Sequence, residues 1–464
     1  MRSGLSFIIV SKPTSEAGAA IDAGHLLDYS EWTWLHRMVL VMAALAIVFD
    51  GFDNQVLSVA IPALVKEWSV PRAAFAPILA SGLFAMALGT VAAGFLGDRL
   101  GRRKALIGSV LVFGAATLAT ALVSGLWSLG ILRFVAGLGL GGAVPNATTI
   151  SAEFTPLKRR ALAVSMTIVC IPLGGALAGV VASRVLGTAG WQYLFATGGA
   201  AALVLAGVLA AAIPETPRFL VRRPERRAEL IRLLARLGHI VPDGARFVDQ
   251  VEAAKEKGRV MQTLFGGAMR RNTFSLWVCY FSCLFSVYVA LNWLPTLLAG
   301  QGFNLAQTSS GLAAYNFGGI AGALLFGWLI NFFGSKVSML AGCAGAIASA
   351  AYLWLVPPAA AAGNAMPIVA ITIHGLFANA VQSTMYALAA HIYPTRVRAG
   401  GMAAAVAIGR LGGVTSAFVG ASLVQLGPSN YFGAIAVTLT ITMIALAVVT
   451  DHIPKFGKAQ QEFS

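Results

Sequence analysis

The chain has 464 residues, of which 58% are hydrophobic and 11% charged, with a formal net charge of +15 and a mean hydropathy of +0.78. Soluble domains carry roughly 25% charged residues, so the composition excludes a soluble globular fold and describes an integral membrane protein. In a soluble protein such a basic balance would point to nucleic acid; here the basic residues mark the loops, and no nucleic-acid partner is expected.

Residues 1 to 33 read as a polar, partly disordered cytoplasmic tail. Its apolar patch, Leu5 to Val10, is too short for a signal-peptide core and lacks a clear cleavage site. Apolar segments then follow at about 38–65, 74–97, 105–124, 127–153, 161–185 and 191–213. A polar stretch, 214–271, separates them from six more at about 272–299, 308–330, 337–357, 365–392, 399–424 and 430–450. The expected fold is all-α with twelve transmembrane helices, as a six-helix bundle over 34–213, a central loop over 214–271 and a second bundle over 272–451. A short cytoplasmic tail, 452–464, ends the chain.

Orientation follows from Lys and Arg in the short loops. With the N-terminus inside, the inner loops hold Arg99, Arg102, Arg103, Lys104, Lys158, Arg159, Arg160, Lys336, Arg396 and Arg398, against Lys66, Arg72 and Arg184 outside. Both termini and the central loop are therefore expected in the cytoplasm, in a multi-pass inner-membrane protein. The Arg- and Glu-rich central loop is expected to form short amphipathic helices at the membrane surface.

Span one carries Asp50-Gly51-Phe52-Asp53-Asn54-Gln55. Asp50 lies about 18 Å into its apolar run, near the midplane, where an acid costs about 2.5–3.5 kcal/mol on insertion scales. Spaced i and i+3, Asp50 and Asp53 share a helix face that can turn to a polar cavity. A carboxylate there can take a proton and couple it to a movement. A static buried ion pair is the alternative, but it would need only one aspartate.

The halves echo each other. Gly94, Asp98, Gly101 and Arg103 between spans two and three match Gly327, Asn331, Gly334 and Lys336 between spans eight and nine. After spans four and ten, Glu153-Phe154-Thr155-Pro156-Leu157-Lys158-Arg159-Arg160-Ala161 aligns with His391-Ile392-Tyr393-Pro394-Thr395-Arg396-Val397-Arg398-Ala399. Two echoes in matching places indicate a duplicated six-helix unit.

The Gly94–Arg103 loop, Gly94-Phe95-Leu96-Gly97-Asp98-Arg99-Leu100-Gly101-Arg102-Arg103, resembles the signature loop of the major facilitator superfamily. That resemblance implies the major facilitator fold and a cytoplasmic charge network that holds the outward-open state. Asp98, Arg99, Gly101, Arg102 and Arg103 would gate there, Asp98 and Arg102 most directly, with Glu153, Arg160 and Arg398 from the second echo. The C-terminal copy has Asn331 in place of the acid, which implies a weaker latch. Plain positive-inside anchoring accounts for the arginines but not for Asp98 or the glycines.

Arg133-Phe134-Val135-Ala136-Gly137 in span four resembles the family's Arg-x-x-x-Gly element, whose arginine pairs with an acid on span one; Asp53, the outer acid, is the expected partner of Arg133. Gly137, Gly139 and Gly142 satisfy the G-x-G-x-x-G pattern, but no strand precedes them, and close helix packing is the better reading. Asn146, in the same span, either faces the cavity or bonds a neighbouring helix. Pro172 and its neighbours match the drug-antiporter element only loosely. Pro214-Glu215-Thr216-Pro217-Arg218 after span six resembles a motif shared by sugar porters, organic-ion carriers and aromatic-acid carriers, and does not choose among them.

In the second half, Trp293 of an aromatic span seven, Tyr315 and Asn316 of span eight, and His374, Asn379, Gln382 and Tyr386 of span ten are candidates to line the cavity, as is Gln55 of span one. For each, a site and a structural hydrogen bond compete. Arg410 lies about 16 Å into span eleven, and no acid occurs in the second half before Asp451. Its partner is either an acid of the first half or a substrate carboxylate, whose two oxygens match the guanidinium fork. Cys170, Cys279, Cys283 and Cys343 fall in apolar runs and read as small hydrophobes, with no metal or cofactor expected.

Asp50-Gly51-Phe52-Asp53 in span one, Pro145-Asn146-Ala147-Thr148-Thr149, Asn292-Trp293-Leu294-Pro295 and Ile408-Gly409-Arg410-Leu411-Gly412-Gly413 are together similar to the aromatic acid/proton symporters of this superfamily, from about Trp34 to His452. The resemblance implies no enzyme but import of a benzoate-type acid with protons by alternating access, in a monomer in the bilayer. It assigns proton coupling to Asp50, Asp53 and Arg133 and the substrate to Arg410. Symport of a sugar acid, an unsaturated dicarboxylate or a sugar is the alternative, and a non-transporting membrane sensor is the alternative of another class.

Overall fold

A computed structural model describes residues 20–239, 241, 246–248, 264–359, 365–394 and 397–455. The first bundle comprises Trp34–Trp68, Ala76–Leu100, Arg102–Thr120, Leu126–Glu153, Leu157–Val185 and Gly190–Ala212, which are spans one to six. Span seven is Gly267–Gly300. The helix Leu305–Leu355 is interrupted at Gly334 (φ 75°, ψ 168°) and supplies spans eight and nine. Met366–Ile392, Arg398–Leu426 and Pro428–Val448 complete the twelve crossings. The chain is thus a multi-pass membrane protein whose helices are apolar all round, as a lipid-embedded bundle requires.

Without water to drive them together, membrane helices associate through close backbone contact. A Cβ on Gly89 or Gly141 would fall 2.1 Å from a carbonyl oxygen of the facing helix in spans four and two. Gly318 and Gly375 make the same close contact between spans eight and ten. Gly137, Gly139 and Gly142 pack on spans two and three in this way, so the apparent dinucleotide pattern is a packing surface.

The duplication is visible atom by atom. Arg160 Nε donates to the Thr155 carbonyl at 3.3 Å, and Arg398 Nε donates to the Tyr393 carbonyl at 3.2 Å. Gly101 (φ 105°) and Gly334 (φ 75°) both turn the chain into the third helix of their half through backbone angles that favour glycine.

Two expectations need adjustment. The fold includes a short parallel ladder, Ala20–Asp22 against Arg246–Val248. The tail proposed for residues 1–33 is also partly built into the bundle; residues 1–19 lie outside the described set. The helix Ala23–Asp28 is capped by Asp22, whose carboxylate accepts from Gly24 N at 2.9 Å. Leu27 is 2% exposed, and Asp28 is ion-paired with Arg160. A salt bridge and a buried leucine order what composition alone presents as polar tail. In the central segment, Pro217–Val221 and Arg227–Arg236 are helical, the latter burying Leu230, Leu233 and Leu234 against the bundle. The face carrying both described ends and this segment is called proximal below, and the opposite face distal.

Candidate functional site

Span one packs on spans three, four, five and seven, among others. Asp50 and Asp53 are each 2% exposed. Asp53 is 3.6 Å from the Arg133 guanidinium, and its Oδ1 accepts from the Thr117 hydroxyl of span three. Arg133 donates to Thr117 Oγ1 at 3.2 Å and to the Asp53 carbonyl at 3.4 Å. Its guanidinium lies 5.2 Å from the Phe195 ring centroid. Thr117, absent from the sequence reading, therefore ties the carboxylate to the guanidinium. No sequence signal marks it, because a membrane threonine most often bonds its own helix.

One turn towards the proximal face, Asp50 Oδ1 is buried with no hydrogen-bond partner among the described residues, and so are Arg410 Nε and Nη1. The Arg410 charge reaches Asp50 across the seam between the halves and Tyr386 within its own half, yet no ion pair forms between Arg410 and Asp50. Tyr386 meets Tyr280 edge to face, with ring centroids 5.6 Å apart, and Tyr288 packs on Gly413 one turn from Arg410. A half-buried arginine with Nε and Nη1 left unbonded among the described residues calls for an anion. Beside it, phenol rings offer edges and faces to a planar partner.

The other candidates separate. Gln55 and Asn316 bond each other reciprocally across the seam, at 3.2 and 2.7 Å. Asn146 does not line the cavity: it donates to the Gly142 carbonyl, and its Oδ1 meets Arg102 at 3.5 Å, on the latch side of the bundle. Trp293 is corrected likewise, being fully buried with Nε1 donating to the Ala417 carbonyl at 3.1 Å inside its own half. His374 points away towards span nine, with Nδ1 3.0 Å from Ser349 Oγ. Asn379 donates to the Gly375 carbonyl at 3.0 Å and lies against Gly319. Gln382, one turn further, is half-buried.

The Major Facilitator Superfamily profile matches residues 43–369 and 276–463. The chain belongs to the major facilitator superfamily. It is 32% identical to the 4-hydroxybenzoate transporter PcaK of Pseudomonas putida over 90% of this chain and 93% of that protein. It is 33% identical to the 4-hydroxybenzoate transporter PcaK of Acinetobacter baylyi over 93% of each, and 30% identical to a gallate transporter of Pseudomonas putida over 88% of this chain and 90% of that one. The inward open xylose transporter XylE of E. coli superposes with a TM-score of 0.70 at 18% identity, over 90% of this chain and 97% of that one, a likeness of fold alone. Members of this superfamily are membrane transporters, not enzymes.

In this facilitator the residues expected to gate that have a described side-chain partner bond within their own half. Asp98, its side chain 59% exposed, pairs with Arg102. Arg99 stacks 5.7 Å from the Phe95 ring centroid, and its carbonyl accepts from Arg223 at 3.0 Å. Arg103 donates through its side chain to the Ala210 carbonyl, Arg160 pairs with Asp28, and Arg398 holds Tyr393. Glu153 has a buried Oε2 without a partner among the described residues. At the distal face the halves close on each other: Gly300 abuts the Arg72 guanidinium, and Gly179 of span five lies against Ser309 and Ala313 of span eight. The seam is therefore sealed distally, and among the described residues the expected gating side chains make no bond across it proximally.

Glu215, in the segment after span six and outside the residues expected to gate, meets the signature loop. It is 1% exposed, and its Oε1 accepts from the backbone N–H of Arg103 at 3.1 Å and of Thr216 at 3.0 Å. A carboxylate there caps the positive end of span three. The second half repeats the device with main chain: the Ile453 carbonyl accepts from Ser335 N at 2.9 Å, beside Gly334. Ile213-Pro214-Glu215 and Ile453-Pro454-Lys455 are the sequence signal for this third echo.

Proposed function

We propose that this facilitator imports a small aromatic carboxylate of the hydroxybenzoate class together with protons, by alternating access. It would act as a monomer in the cytoplasmic membrane, with its proximal face in the cytoplasm. The observation that carries the reading is Arg410, whose Nε and Nη1 are buried without a hydrogen-bond partner among the described residues, set beside Tyr280, Tyr288 and Tyr386 and opposite Asp50. A substrate carboxylate satisfies the fork with two parallel charge-assisted hydrogen bonds, and the ring finds phenol edges. The relatives named for 4-hydroxybenzoate and gallate support the same substrate class.

Coupling follows from charge. With substrate on Arg410, a second anion at Asp50 repels it, so Asp50 takes a proton as the carboxylate arrives. Asp53 shares its partners Arg133 and Thr117 with no substrate group and can hold a proton independently. Asp98, Arg102 and Glu215 latch the proximal face in the opposite state, when the signature loop swings to the second half.

Uptake of labelled 4-hydroxybenzoate into membrane vesicles tests this. A pH gradient, acid outside, should drive accumulation that unlabelled benzoates compete away, and Asp53→Asn should abolish accumulation while leaving the protein in the membrane. Uptake no greater than in vesicles lacking the protein, across a panel of benzoates, refutes the reading.

A further inference from the structure

Beside the Asp53–Arg133 pair lies a cavity of ≈ 30 Å³ lined by spans one, two and four, and by a single residue of the other half, Asn292 of span seven. Three residues of its lining each carry a buried polar atom with no hydrogen-bond partner among the described residues: Asp53 Oδ2, Arg133 Nε and Asn292 Nδ2. The parent residues are 2%, 6% and 4% exposed. Each orphaned group buried in a membrane core costs about 1–3 kcal/mol, so three around one space need a common partner.

The donor set identifies that partner's chemistry. Two of the groups are N–H donors, which repel a cation, and the third is a carboxylate oxygen, which repels an anion. Water accepts from both nitrogens and donates to the carboxylate. That makes three bonds, the usual number for a buried water, and a cavity of this size holds about one or two. The benzoate class is far too large for it and has Arg410 instead.

We propose that this cavity is a bound-water site through which Asp53 exchanges its proton with the distal side, with Asn292 as its gate. The proposal rests on the proton-coupled reading above. Asn292 belongs to the half that seals the distal seam, and it sits towards the distal end of span seven, which is Gly267–Gly300. When the halves part distally, span seven carries Asn292 away, and the water between Asp53 and Arg133 joins bulk solvent. When they close, Asn292 Nδ2 again donates to that water, and Asp53 is cut off from the distal side. Asn292 is thus a positioning residue: it holds the water, and the water reaches the carboxylate.

Two measurements test this. A structure of the full-length protein at a resolution that shows ordered solvent should place a water within hydrogen-bond distance of Asp53 Oδ2, Arg133 Nε and Asn292 Nδ2. The space without density, or with a side chain swung into it, overturns the site. In vesicles, Asn292→Leu fills the cavity and removes the donor, whereas Asn292→Ser leaves room and a hydroxyl. Asn292→Leu should lower pH-driven accumulation about tenfold or more while counterflow exchange, which needs no loss of the proton, changes by less than about threefold. Asn292→Ser should restore accumulation. Equal loss of both activities in membrane-inserted Asn292→Leu, or no loss of either, overturns the proton route. An unsubstituted protein that moves no aromatic acid would refute the functional reading alone, since the solvent density is read without substrate.

Discussion

Replacing Gly101 with alanine separates backbone strain from the capping contact at the signature loop. Gly101 has φ 105° and ψ 147°, a region open essentially to glycine alone, where another residue costs about 1–3 kcal/mol. Its new Cβ would lie 2.1 Å from Glu215 Oε2 and 2.7 Å from the carboxyl carbon, so the carboxylate must leave. That breaks hydrogen bonds to Arg103 N and Thr216 N, each worth about 1.5–3 kcal/mol for a charged acceptor. Taking about 2 kcal/mol for strain and about 2 for the cap, which water partly replaces, Gly101→Ala should destabilise the protein by about 4 kcal/mol. Once Glu215→Ala has removed the carboxylate, only the strain remains, so the same glycine change should cost about 2 kcal/mol in that background. The assay is a double-mutant cycle on unfolding of the purified protein in detergent, with a coupling of about 2 kcal/mol expected. Additivity within about 0.5 kcal/mol would refute the claim that Gly101 is glycine because Glu215 occupies the space of a Cβ.

Two further predictions concern the seam. Arg410→Lys keeps the charge but loses the planar fork, so the KM for 4-hydroxybenzoate should rise about tenfold or more with a smaller change in maximal rate; an unchanged KM would remove Arg410 from the substrate site. Thr117→Val conserves shape but leaves Asp53 Oδ1 without its hydroxyl donor and Arg133 without an acceptor at 3.2 Å, so accumulation should fall about tenfold with exchange largely kept. Thr117→Ser should recover it, and a valine variant that accumulates normally would make Thr117 merely a packing residue.

By itself the sequence determined the fold class and the depth of every polar residue in the bundle. Span count follows from apolar run length, because a helix must bond its own backbone in lipid. The duplication follows from two echoes; the resemblance to the family's Arg-x-x-x-Gly element implied an acid partner for Arg133, and depth along the span chose Asp53 over Asp50. What the sequence could not supply was direction around each helix axis. In a soluble helix an apolar stripe marks the buried face, but these helices are apolar on all sides, and a lone polar residue carries no such mark. Asn146, Trp293 and His374 therefore had the right depth for the cavity and the wrong azimuth, each bonding a neighbour within its own half. Thr117 and Asn292 were overlooked as site residues for the same reason. Only tertiary packing turned Thr117 to the ion pair, brought Asn292 of the second half to the edge of Asp53's cavity, and left Arg410 Nε and Nη1 buried beside the tyrosines without a partner among the described residues.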